Sequence, residues 1–194
     1  MRLVVLCLLA SALIPSLSQA QGVPVFAITP AESSIRFDVE ASVAIKGTFD
    51  KWDATLTFAS PDVTTGVLDV KIQAATVDTG SGLKNGKLKG SDFFDVDHNP
   101  LITFKSTKIL QTGPNTFELD GNFTIRGVTR PEKLTLTVSG VGTGTGTISG
   151  TLYFDRKDYG MNSGIPFIKI ANRVEVNVAL KGTRVSGPPL ALKQ

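Results

Sequence analysis

A period of two runs through this chain almost from end to end. Ile35, Phe37 and Val39 alternate with Arg36, Asp38 and Glu40; Ala54, Leu56 and Phe58 alternate with Asp53, Thr55 and Thr57. Leu68, Val70, Ile72 and Ala74 do the same, as do Leu134, Leu136 and Val138, and Val174, Val176 and Val178. Successive side chains of a strand point to opposite faces, so each stretch predicts a strand with one dry and one wet face. Further strands are predicted at 43–50, 101–106, 117–126 and 148–155, separated by turn signals such as Ser60-Pro61-Asp62 and Gly113-Pro114-Asn115. The total is eight or nine strands, in an all-β chain.

Only the stretch from Leu83 to Ser91 departs from this period. It reads as one short helix with Leu83 and Leu88 near one face and Lys84, Lys87 and Lys89 mostly elsewhere. Gly86 inside it costs roughly 1 kcal/mol relative to Ala. The Gly-Thr run at 141–146 predicts a loose connection, and the tail 186–194, with Pro188 and Pro189, is predicted to lack fixed structure. Residues 21–185 show no internal boundary and form a single domain. Antiparallel strands in chain order, with glycines such as Gly121 and Gly150 inside them, fit a barrel or a sandwich. Arg36, Asp38, Glu40, Lys71 and Glu175 lie mid-strand on the polar side, which suits a dry interior in water rather than a barrel facing lipid.

Residues 1–20 follow a different rule. Arg2 precedes an apolar run from Leu3 to Ile14, and Ser18-Gln19-Ala20 ends in the small residues of a cleavage site. This predicts a secretory signal peptide cleaved near Ala20, and hence a periplasmic or secreted protein. The run is too short for a bilayer span, which takes about 20 apolar residues. Cys7, the sole cysteine, falls within it, so the exported chain has neither a disulfide nor a thiolate metal site. With 20 Lys and Arg against 17 Asp and Glu, the chain has no excess charge to hold nucleic acid.

A reactive constellation is not legible. There is no Gly-x-Ser-x-Gly elbow, no phosphate loop and no dinucleotide fingerprint. His98 stands in Asp95-Val96-Asp97-His98-Asn99-Pro100, a polar turn whose Pro100 occupies the place where a calcium loop needs glycine. The acidic residues fall mostly on wet faces, and none is singled out as a pair for hydrolysis. The expectation is a protein with no catalytic residue, no metal and no cofactor. Lys84 and Lys87, in the densest basic cluster, are the candidates for holding an anionic head group. The dry-face residues Phe37, Val39, Leu56, Phe58, Ile72, Phe104, Phe123, Ile125, Leu136, Phe154 and Val176 are the candidate lining of an apolar interior. The alternative is an extracellular β-sandwich module for adhesion or carbohydrate binding. That reading needs exposed aromatics on a flat face, for which only Trp52, Tyr153 and Tyr159 qualify.

Several strings together resemble the YceI-like family. They are Asp78-Thr79-Gly80, Asp92-Phe93-Phe94-Asp95-Val96, Pro100-Leu101-Ile102-Thr103-Phe104-Lys105-Ser106, Thr124-Ile125-Arg126-Gly127-Val128-Thr129 and Arg156-Lys157-Asp158-Tyr159-Gly160. The likeness runs from about Phe26 to Lys181. It implies an antiparallel, lipocalin-like barrel of an exported, polyisoprenoid-binding protein. The ligand would be a long prenyl chain, as in a quinone or polyprenyl phosphate, held inside the barrel, with transient contact with a membrane surface. Family members commonly have His-Ser where this chain has Glu32-Ser33, and Arg-Asp where it has Lys84-Asn85, positions expected near the pocket mouth. Of the motif residues, Arg126 and Asp158 are expected to pair across the barrel's seam, and Phe93 and Phe94 to cap one end.

Overall fold

The computed structural model describes residues 22–42, 44–140, 142–164 and 169–192; the predicted leader lies outside them. Among these residues the alternating segments form β1 (Val25–Ile28), β2 (Ser34–Ala41), β3 (Ile45–Phe49), β4 (Trp52–Phe58), β5 (Gly66–Gln73) and β6 (Val77–Asp78). After the one helix, α1 (Gly82–Lys89), come β7 (Leu101–Gln111), β8 (Thr116–Ile125), β9 (Val128–Ser139), β10 (Thr145–Asp155) and β11 (Ile170–Ser186). All belong to one antiparallel sheet in the order β4-β5-β7-β8-β9-β10-β11-β2-β3-β6, with β1 added beside β11. Eleven strands replace the eight or nine predicted. The surplus comes from β1 and β6, which are too short to show a period.

The sheet curls until its two edges meet. β5 continues through a 3-10 turn into β6, and β6 pairs with β3 through Thr48–Asp78 and Phe49–Val77. The chain of β5 is thus carried across to the other side of the sheet, where β6 lies beside β3, and a single curled layer stands where a sandwich would stack two. Closure is complete only at one end. There sit α1, the β8–β9 turn and the 3-10 turn Arg156–Tyr159 that follows β10; we call it the helix end. At the opposite, tail end, β1 pairs with β11 from Val25–Ser186 to Ile28–Gly182, while no backbone ladder joins β1 to β4 among the described residues. Phe26 and Phe58 meet across this seam, their rings 5.8 Å apart.

Two local features explain why the bore widens toward the tail end. β5 and β7 stay paired only from Gln73–Leu101 to Asp69–Lys105. Beyond that point the buried Ser106 hydroxyl accepts the Leu68 N–H at 2.9 Å in place of a ladder carbonyl. Immediately afterwards β7 bulges against β8 between Ser106 and Lys108. A bulge adds one residue and reverses which face the following side chains take, so the buried series Ile102, Phe104, Ser106 resumes at Ile109. That is why the alternation ends at Ser106 in the sequence although the strand goes on to Gln111.

The helix agrees with its prediction in place but not in facing. Leu88 is buried, whereas Leu83 is 87% exposed. Five residues at about 100° each put them about 140° apart, which is not one face. The tail also differs from expectation. Ser186 is the last residue of β11, and Gly187 to Leu192 lie across the tail end, held by Ala191 N–H to Pro61 O at 2.8 Å and Val63 N–H to Ala191 O at 3.4 Å. Leu190 and Leu192 pack against the core, and this apolar contact supplies what the two prolines could not.

Candidate functional site

The interior is hollow in two places with a packed waist between them. The tail-end cavity holds about 230 Å³ and is bordered by Phe26, Leu56, Phe58, Leu68, Ile109 and Leu136, with Gly140, Gly142, Gly144 and Arg184 at its lip. The helix-end cavity holds about 60 Å³ and is bordered by aliphatic and aromatic side chains and by Arg156. Ile35, Val70, Phe104, Leu134 and Leu152 are buried and border neither. Their position in the chain places them between: Val70 follows Leu68 of one cavity and precedes Ile72 of the other. Gly121 makes the waist dense, because its missing side chain leaves room for the Phe104 ring; a Cβ there would come within 2.5 Å of it.

The predicted lining is divided by this waist. Leu56, Phe58 and Leu136 border the tail-end cavity; Phe37, Val39, Ile72, Phe123, Ile125, Phe154 and Val176 border the helix-end one; Phe104 fills the waist. One continuous tunnel, as a long prenyl chain would need, is therefore not open in this structure. The alternation points to an inward face but is blind to whether that face meets space or another side chain. Sequence reasoning missed Phe26, Ile28, Ile109, Leu190 and Leu192. The signals were slight: a four-residue strand, a phase reversed by a bulge, and an alternation in Leu190-Ala191-Leu192 that follows two prolines.

The family-like motifs prove to be the masonry of the helix end. Phe93 and Phe94 are buried there, and two aromatic clusters seal it: Phe37, Phe49 and Phe94 with ring centroids 5.6–6.4 Å apart, and Phe123, Phe154 and Tyr159 at 5.2–5.5 Å. The Tyr159 hydroxyl donates to Glu132 Oε1 at 2.8 Å, and burial together with that carboxylate pushes its pKa well up. Arg156 is buried and donates to three carbonyls, those of Ala171 at 3.1 Å, Ser163 at 3.0 Å and Met161. Arg126 and Asp158 do not pair. Arg126 and Gly127 both have positive φ, 54° and 72°, the geometry of a two-residue hairpin turn that follows strand twist. This turn aims the Arg126 guanidinium at Gly160 O and Ser91 O, both 2.8 Å away. Asp158 instead offers its main-chain oxygen to Arg130 at 2.9 Å.

The candidate head-group lysines are engaged at the same end. Lys87 pairs with Asp92, which also accepts from the Ser163 hydroxyl at 3.0 Å; these partners hold the Asp92 carboxyl below its usual range. Lys84 donates to Ala44 O at 3.1 Å. Asn85 accepts the Thr79 N–H at 2.8 Å and donates to Asp78, tying α1 to β6. At the tail end, the Ser33 hydroxyl donates to Thr29 O and accepts the Lys181 N–H. None of these lines either of the two cavities described. On the outer face, a shallow polar hollow of about 770 Å³ runs over β9, β10, β11 and β2. Its exposed aromatic, Tyr153, is covered by the Arg173 guanidinium 3.9 Å from the ring centre, so it offers no bare platform for a sugar. His98 pairs with Asp95 at 2.9 Å, and no group of three or more metal-binding side chains occurs among the described residues.

A curled antiparallel barrel sealed at one end by these motifs agrees with what comparison finds. The family model of the YceI-like domain matches residues 26–182. This chain belongs to the YceI-like family. A relative in Azotobacter vinelandii, a UPF0312 protein, is 32% identical over 85 residues, and the match spans 44% of each chain, less than half the length of that relative. Among solved structures, Burkholderia cenocepacia BcnA superposes with a TM-score of 0.72 at 26% identity, covering 80% of this chain and 99% of BcnA. A polyisoprenoid binding domain from Saccharophagus degradans, implicated in plant cell wall breakdown, superposes with a TM-score of 0.67 over 83% of this chain and 99% of its own. At 17% identity, it is a likeness of fold.

Proposed function

We propose that this YceI-like protein is a non-enzymatic carrier or store for a long-chain isoprenoid lipid, held in the bore of the barrel. The observation that carries the proposal is the tail-end cavity of about 230 Å³, walled by apolar side chains and opening at a lip with Arg184. The polyisoprenoid binding domain of similar fold favours the class of lipid. The leader-like residues 1–20 favour the periplasm or secretion, and the exposed Val23, Val25 and Val185 beside the cavity favour transient contact with a membrane.

Magnitudes favour a long chain over a short one. A methylene group takes about as much room as a water molecule, about 30 Å³, so the tail-end cavity holds roughly eight carbons. At about 0.8 kcal/mol each these gain about 6 kcal/mol, and the cost of association, about 4–15 kcal/mol, takes most or all of it. A firmly held ligand has to reach further, into the space now filled by Phe104 and Leu152. Those side chains therefore have to turn aside when the ligand enters.

The test is extraction. Protein purified in detergent-free buffer and extracted with organic solvent is expected to release a prenyl lipid in near-molar proportion, read by mass spectrometry. A clean extract, together with no binding of an added prenyl quinone or prenyl phosphate, overturns the proposal.

A further inference from the structure

We infer that ligand enters and leaves through the seam between β1 and β4, and that the C-terminal strap, Gly187 to Leu192, is the gate on that seam. The inference rests on the reading of the barrel as a binding protein and adds the route and its control.

Three observations carry it. The first is the seam itself. Among the described residues β1 and β4 share no backbone ladder at all and are joined by side chains such as Phe26 and Phe58, whereas β5 and β7, which part toward the same end, stay laddered from Asp69–Lys105 to Gln73–Leu101 and are tied beyond it by the Leu68 N–H to the Ser106 hydroxyl. Parting side chains costs less than breaking a ladder, because no buried N–H or carbonyl is left without a partner.

The second is the path of the strap. It leaves β11 where Ser186 pairs with Val25 of β1, turns at Gly187 with a φ of 79°, and reaches Asp62 just beyond β4, where Asp62 and Ala191 form a parallel bridge. Its two ends are therefore anchored on opposite sides of the seam. The turn is latched by Arg184, whose Nη1 donates to Gly187 O at 2.5 Å. Leu190 and Leu192 lie over the tail-end cavity and form part of its wall.

The third is how lightly the strap is tied. Among the described residues two backbone bonds tie the strap to the far side, both at Ala191, at 2.8 and 3.4 Å, and both leucines remain only partly buried. Such a segment opens locally at a small fraction of the cost of global unfolding. The strap also begins five residues beyond Gly182, the last residue the family model matches.

The test uses release of the neutral probe N-phenylnaphthylamine, followed by stopped-flow fluorescence, in chains carrying Cys7→Ser. Asp62→Cys with Ala191→Cys staples the strap shut under oxidation and frees it under reduction, so each sample is its own control. A chain ending at Ser186 removes the strap. The expected result is release slower by about tenfold or more in the oxidised staple than in the reduced one, and faster in the shortened chain; tenfold corresponds to about 1.4 kcal/mol. Equal rates in the oxidised and reduced staple overturn the gate while leaving the binding reading intact, and they decide the matter even if the shortened chain does not fold. A probe that binds no variant, the full chain included, overturns the binding reading and the gate with it.

Discussion

The two ends of this barrel are closed by different kinds of bond. The helix end is sealed by two clusters of three aromatic rings and by buried or half-buried arginines, each donating to two or three carbonyls. Among the described residues the tail end has one ring pair across its seam and a strap tied to the far side by two backbone bonds. The space inside follows the same division, about 60 Å³ beneath the helix and about 230 Å³ beneath the strap. A wall knit from directional bonds packs its interior, since each bond fixes a position. A wall closed mainly by apolar contact can part and re-form. The motifs that mark the family mostly build the immobile end, which is why they name the fold better than they name the ligand.

The waist is where the two ends are kept apart, and removing it breaks the comparison most severely. Phe104→Ala is expected to cost about 3–5 kcal/mol in urea denaturation, the usual range for a buried Phe truncated to Ala. The same variant is expected to bind a long prenyl quinone faster than the parent, because one of the side chains that separate the cavities is then gone. Next in size is Arg156→Leu at the helix end. It leaves carbonyls of Met161, Ser163 and Ala171 without their donor, and an orphaned buried acceptor costs about 1–3 kcal/mol. Ending the chain at Ser186 is expected to cost about 1.5–3 kcal/mol for two half-buried leucines, less than the three carbonyls orphaned in Arg156→Leu, and to leave the helix end unchanged in hydrogen exchange. If the shortened chain instead loses more stability than Arg156→Leu, the ends are not unequal in the way described.

How much of this was legible in the sequence follows from the physics of each part. Period two gives inward faces, so all eleven candidate lining residues do point into the barrel, as Phe37, Leu136 and Val176 illustrate. Pattern cannot give the phase after a bulge, so Ile109 was missed, nor the occupancy of an inward position, so Phe104 in the waist looked the same as Phe58 in the cavity. Lysine clustering at 84–89 read as available charge because a sequence does not show Asp92 folding back onto Lys87. The strap was hidden for a related reason: two prolines speak against regular structure, but Leu190 and Leu192 need only a hollow to rest against.

Acidity distinguishes the ends by a smaller effect. At the helix end Lys87 and Ser163 hold Asp92 below the usual carboxylate range, His98 and Asn99 do so for Asp95, and Asn85 and the Gly80 N–H for Asp78. A carboxyl with a lowered folded pKa stabilises fully above its unfolded value, about 3.9 for Asp, and that contribution fades as pH falls through the lower folded value. His98 behaves in the opposite sense. Asp95 raises its pKa, so its contribution is complete below the ordinary 6.5 and is lost as pH rises through the raised value. The helix end is therefore held best between these limits. Thermal unfolding midpoints are expected to fall on the acid side, and Asp92→Asn is expected to flatten that limb. The His98 effect is the smallest, since its ring is 81% exposed. It is best read directly, as an NMR titration midpoint above 6.5 that returns toward that value in Asp95→Asn. Neither substitution is expected to alter probe release at the tail end; a change there would mean that the waist couples the two ends rather than separating them.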